Sequence, residues 1–296
     1  MFNKVTLFLV TLLFSHSLLA EEWVFQTRVQ TGLLDYDLSL TEPAPSPNIT
    51  DGVNIDITNN QSSNGLGDTL VTLGLGGTAA YGNYFVDLYV QRGISGELDR
   101  SDNVRGSIIG ENIDLDRDDF AISFGRSFGQ FSLGIGYKQS ETTFDQNFTL
   151  LDPMIDNPVD PDNRIDGNLR SSFELDGPFI SAAYGFKIGT GNLSAKIAVA
   201  DLTGQWDINQ TDRMGNDLAT SASGDATGVT FGLAWKAPIN QDWAYSISTD
   251  YYDYDFDVSG TNPTFNGEPL TGRQGINNFN LQERVFSLNA AIIYTF

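Results

Sequence analysis

Groups able to do chemistry are few in this chain and unevenly placed. Its 296 residues contain no Cys and one His, His16, which lies in an apolar N-terminal stretch. Thiolate metal sites, cysteine nucleophiles and disulfide frameworks are excluded, and most zinc and hydrolytic chemistry loses its usual imidazole. Carboxylates remain. Asp160, Asp162 and Asp166 are spaced like the start of a calcium loop in Asp160-Pro-Asp-Asn-Arg-Ile-Asp166. The stretch lacks the oxygen ligand at the fifth position, the glycine at the sixth and the closing glutamate. These three are weak metal candidates, set against a solvated, self-repelling loop. Gly74-Leu75-Gly76-Gly77-Thr78-Ala79 spells a dinucleotide fingerprint, but it lies inside an alternating strand, where the fingerprint needs a helix N-terminus to follow. No cofactor is expected.

A second set of charges takes its meaning from the elements that carry it. Beyond residue 21 hydrophobicity alternates with period two. Trp23, Phe25, Thr27, Val29, Thr31 and Leu33 share one face, and Gln26, Arg28, Gln30 and Gly32 share the other. The same grammar recurs from Thr69 and Tyr84, and then near 117–127, 131–143, 173–186, 192–205, 226–236, 243–256 and 283–296. Ten strands are expected, with eight or twelve if one hairpin is misassigned. Short connections alternate with long ones near 37–66, 93–116, 145–171, 207–224 and 258–281. Connections of that length are unusual in a compact soluble domain but normal outside a transmembrane barrel. The outward sets, such as Phe120, Ile122 and Phe124, carry no charge, and their inward partners Ala121, Ser123 and Gly125 are small. The fold expected is all-β, a transmembrane antiparallel β-barrel with short periplasmic turns and long acidic external loops. Aromatics near the turns (Trp23, Tyr84, Phe131, Phe186, Trp235, Trp243, Phe296) and near the loops (Tyr36, Phe144, Phe173, Trp206, Tyr251, Phe286) are expected to form two interfacial girdles.

On this register Arg28, Asp68, Asp87, Asp119, Lys138, Lys196 and Asp250 face the lumen. Mixed signs allow two readings, internal salt bridges that close a narrow barrel or charged rings that select solutes in a pore. The small inner residues leave space for the second, while about ten strands give a lumen little wider than side chains can fill. The whole chain carries 16 basic and 38 acidic residues, a net charge of -22. Nucleic acid is therefore not an expected partner.

Residues 1–20 read as a secretory signal peptide, with Lys4, the apolar run Val5–Phe14 and small residues up to a cut near Ala20. That run is shorter than the roughly 20 residues a membrane helix needs. The mature barrel domain is then 21–296.

The last strand carries a resemblance. Leu288, Ala290, Ile292, Tyr294 and Phe296 alternate to a terminal aromatic residue, which resembles the assembly signal of bacterial outer-membrane β-barrel proteins. Taken with the leader and the strand grammar, the resemblance spans the mature chain and reaches the opacity-type and porin-like small barrels without selecting a subfamily. It implies an outer-membrane location in a Gram-negative cell, contact with lipid and lipopolysaccharide through divalent cations, and delivery by the barrel assembly machinery. The function expected is a surface or structural barrel presenting acidic loops and passing small solutes, with a narrow porin-like channel as the alternative. A rim protease resembling the omptins comes third, because Asp250, Asp253, Asp255 and Asp257 sit near the rim but the mature chain has no histidine to pair with them. The protein is not expected to be an enzyme.

Overall fold

The computed structural model describes residues 23–40, 66–94, 97–104, 107–151, 164–212, 217–260, 264–269 and 279–296. The leader lies outside them, as do Asp160 and Asp162. Asp68 and Asp166 are described as strand positions only.

The described residues form thirteen strands: β1 (Trp23–Leu40), β2 (Leu66–Tyr81), β3 (Tyr84–Ile94), β4 (Glu97–Val104), β5 (Ser107–Phe128), β6 (Phe131–Leu151), β7 (Arg164–Ile188), β8 (Gly191–Asp212), β9 (Asp217–Pro238), β10 (Trp243–Gly260), β11 (Thr264–Phe265), β12 (Glu268–Pro269) and β13 (Phe279–Thr295). Ten close into an antiparallel barrel in the order β1, β2, β3, β5, β6, β7, β8, β9, β10, β13, and β13 pairs back onto β1. The expectation of ten strands is met. Beyond β3, β4 continues the ladder along β5, and β11 continues that of β10 along β9.

Gly82, Gly129 and Gly189 open two-residue turns at positive φ, 57°, 69° and 60°. Such turns match the twist of the strands they join. At this turn end also lie Trp23 and Phe296, where Phe296 N–H donates to Phe25 O.

Above the turns the outward face is apolar and bare. Val29, Leu73, Phe124, Ile135, Ile180, Val199, Phe231, Ile247 and Leu288 are all about half exposed. The terminal set Leu288, Ala290, Ile292 and Tyr294 alternates outward. A continuous apolar belt suits hydrocarbon, and in water it would far exceed what a soluble protein leaves open.

Further from the turns the two faces exchange chemistry. On β1, Leu34, Tyr36 and Leu38 point inward and are buried, whereas Asp35 and Asp37 point outward. On β8, Leu202 and Trp206 are inside, with Asp201 and Gln205 outside. One core fills this loop end: Leu34, Tyr36, Leu70, Leu115, Phe144, Phe173, Leu175, Leu202, Trp206, Phe256 and Val285 among others. The strands thus run past the belt as a water-facing barrel packed on itself.

This corrects two expectations. Most of 107–116, 145–151, 164–171 and 207–224 is strand rather than long loop. Tyr36, Phe144, Phe173 and Trp206 are core residues and not an outer girdle, while Tyr251 and Phe286 do face outward.

Candidate functional site

The lumen is where the charged residues meet. On the inner face near the turns, the Arg28 guanidinium grips Asp87 through two hydrogen bonds of 2.8 and 2.9 Å, and Thr78 donates to the same carboxylate at 2.5 Å. β1 and β3 are separated by β2, whose Gly76 leaves the room that Arg28 occupies. Lys196 on β8 reaches Asp250 on β10 at 3.0 Å, passing over Gly232 of β9. These groups remain partly open to solvent, the Lys196 side chain at 44%.

Other contacts span the opening. Lys236 on β9 donates to Gln26 on β1 at 3.0 Å, three places away round the barrel. One layer further in, Lys138 on β6 donates to the Tyr254 hydroxyl on β10 at 2.5 Å, with its ammonium 4.3 Å from that ring and 5.0 Å from the Tyr252 ring. The next layer joins Arg117 on β5 to Glu283 on β13 at 2.5 Å, with a second hydrogen bond from Arg117 to Thr142 at 2.8 Å. Above it the Tyr36 and Phe144 rings meet at 5.8 Å. Each of the last three pairs joins strands four places apart, where five is the maximum for ten strands. They are chords across the barrel.

Arg117 and Glu283 are 2% and 1% exposed, so this ion pair has no access to bulk water. Burial pulls the Arg117 guanidinium toward its neutral form. The carboxylates of Asp119 and Glu283 reverse that and hold its pKa well above the ordinary range. Asp119, expected inside, is thus a partner of Arg117 at 3.1 Å.

The inner glycines do not leave the lumen open. A side chain at Gly228 would collide with the Tyr254 ring, at Gly204 with Phe256, at Gly136 with Phe179 and at Gly125 with Phe85. Small residues admit large ones from across or beside them, which is how narrow barrels fill.

The lumen therefore has a wet, charged half toward the turns and a dry, packed half toward the loops. Of the residues expected inside, Arg28 joins Asp87, Lys196 joins Asp250, Asp119 joins Arg117, and Lys138 is held by tyrosines. Arg117, Glu283 and Lys236 are not among the residues the sequence marks as lumen-facing, although the alternation through Phe120 and Leu288 puts the first two on the inner face. Among the described residues no cluster of three or more His, Asp or Glu has the geometry to hold a metal ion.

No protein-family model matches the chain, and no curated protein matches it. Solved structures do. The outer membrane protease OmpT from Escherichia coli superposes with a TM-score of 0.57 at 8% identity, covering 95% of this chain and 100% of that one. The Pseudomonas putida toluene transporter TodX, at TM-score 0.31 and 11% identity, covers 94% and 90% of the two chains. The β domain of the Bordetella autotransporter BrkA, at 0.36 and 11%, covers 93% and 99%. The OmpT superposition fixes the fold as a closed barrel of the outer-membrane type, and at 8% identity it extends to nothing more.

Proposed function

We propose that the protein is a non-conducting barrel of a Gram-negative outer membrane, turns toward the periplasm, whose working part is the acidic surface it raises beyond the lipid. The observation that carries this reading is the stack of chords across the lumen, Lys236–Gln26, Lys138–Tyr254, Arg117–Glu283 and Tyr36–Phe144, capped by a dry core. A solute following the lumen would have to break a buried ion pair and then cross packed aromatic rings. A porin-like channel is disfavoured on that ground.

Outward carboxylates at the loop end include Asp35, Asp37, Asp114, Asp116, Asp118, Glu141, Asp201, Asp225 and Asp255. Like charges at this density favour a countercharge. Divalent cations bridging to lipopolysaccharide phosphates, or basic surface ligands, fit that need. Catalysis is not part of this reading, because the inner face of the extension is a packed core in which Arg117 and Glu283 are paired with each other, and the mature chain lacks histidine. Delivery by the barrel assembly machinery fits the outward alternation of Leu288, Ala290, Ile292 and Tyr294.

Planar-bilayer recording of the refolded mature chain tests the proposal. Silent membranes with verified insertion are expected, and regular conductance steps would overturn it.

A further inference from the structure

Among the described residues, outward-facing cations near the loop end come paired. Arg92 lies 3.8 Å from Asp118, Arg170 3.8 Å from Asp145 and Arg284 3.9 Å from Asp253. Arg126 differs. It faces outward at the turn end of β5, among rings rather than carboxylates, and no carboxylate of the described residues reaches it. Its guanidinium carbon sits 5.1 Å from the centre of the Tyr84 ring and 5.0 Å from that of Phe128. Tyr84 is its cross-strand partner and in turn stacks on Phe124 at 6.0 Å.

Two aromatic faces hold the guanidinium without consuming its N–H donors. Cation–π attraction is electrostatic and leaves the hydrogen-bonding edge free. That edge lies at the boundary of the apolar belt, where an unpaired charge has a poor supply of water. In a molecule of net charge -22 it is a positive point set among the rings of Tyr84, Phe124 and Phe128. A planar fork of donors at such a level matches two oxygens of one phosphodiester.

We propose that Arg126, clasped by Tyr84 and Phe128, binds the phosphodiester of an anionic glycerophospholipid in the leaflet nearest the turns. This rests on the membrane reading above. The guanidinium donates to two phosphate oxygens, and the rings flank the glycerol and upper acyl carbons. A net-negative headgroup is favoured, because a choline on the same phosphate would bring its own cation against Arg126.

Native mass spectrometry of the mature chain released from mixed micelles of phosphatidylglycerol and phosphatidylcholine tests it. The wild type should retain phosphatidylglycerol preferentially, and Arg126→Gln should reduce that retention by about fivefold or more. Arg126→Lys, which keeps charge but loses the fork, should fall between them, and Arg284→Gln should match the wild type. Equal retention by wild type and Arg126→Gln would overturn the proposal, as would displacement of the lipid by millimolar inorganic phosphate. Heat-modifiable migration on gels verifies that each variant is folded. Insertion into liposomes is scored separately, so a chain that fails to insert refutes the membrane reading and not this site.

Discussion

Arg117 and Glu283 oppose each other in a layer without water, and the energetics of such pairs are asymmetric. Removing one partner leaves the other charged and buried, which costs about 3–5 kcal/mol, whereas replacing both with apolar side chains of similar size is often neutral or better. Arg117→Met should therefore lower the unfolding free energy extrapolated from urea titration in detergent by that order. The double variant Arg117→Met, Glu283→Leu should recover most of the loss. A double variant as unstable as the single one would show that Asp119 and Thr142, the other Arg117 partners, dominate the layer. Both residues stand on the face that alternation assigns them. The sequence does not single them out, because each stands at the end of its alternating run, where parity is weakly marked. Which strand a buried charge reaches across a lumen is a property of closure, and closure has no local signal.

At the scale of elements, the belt portions of the strands were legible and the outer portions were not, for one physical reason. In the belt, apolar outward and small or polar inward is the membrane pattern. Beyond it the sense flips, as in Leu34, Tyr36 and Leu38 inside with Asp35 and Asp37 outside, and acidic alternation read with membrane rules looks like loop. β6 supplies a direct test, because Ile135 and Thr143 share its outward face on either side of the flip. Ile135→Arg should cost about 2–4 kcal/mol in lipid, and Thr143→Arg close to nothing. Refolding yields into liposomes measure both, and equal penalties would place the belt boundary elsewhere. On β9, Gly228 lies under Tyr254 of β10. Gly228→Val should destabilise by about 1–3 kcal/mol through overpacking, and Tyr254→Ala in the same chain should relieve part of it. Unfolding midpoints of the single and double variants decide this.

For the molecule as a whole, closure is redundant. The polar chords occur in successive layers beneath the aromatic core, so cutting one leaves the others. Lys236→Ala and Lys138→Ala should each remain silent in planar bilayers. Conductance in either variant would identify that layer as a lone gate and return the channel reading to favour. The outline is also uneven. Leu151 lies 14 residues beyond Tyr137 on β6, a rise of about 35 Å at ~3.3 Å per residue and ~40° tilt. On β1, Leu40 lies 7 residues beyond Leu33, about half that height by the same geometry. Among the described residues, one wall therefore stands well above the other.

The flip in face chemistry also sets a waterline. Sinking the barrel by one residue pair would push Asp35, Asp118 and Glu141 toward hydrocarbon, and raising it would strip lipid from Ile180 and Leu288, so neither displacement relaxes easily. A bilayer of the wrong thickness must then deform around the protein, since a stiff closed wall can neither compress nor slide. The ring of acids acts as a draught mark, and the lipid meets it.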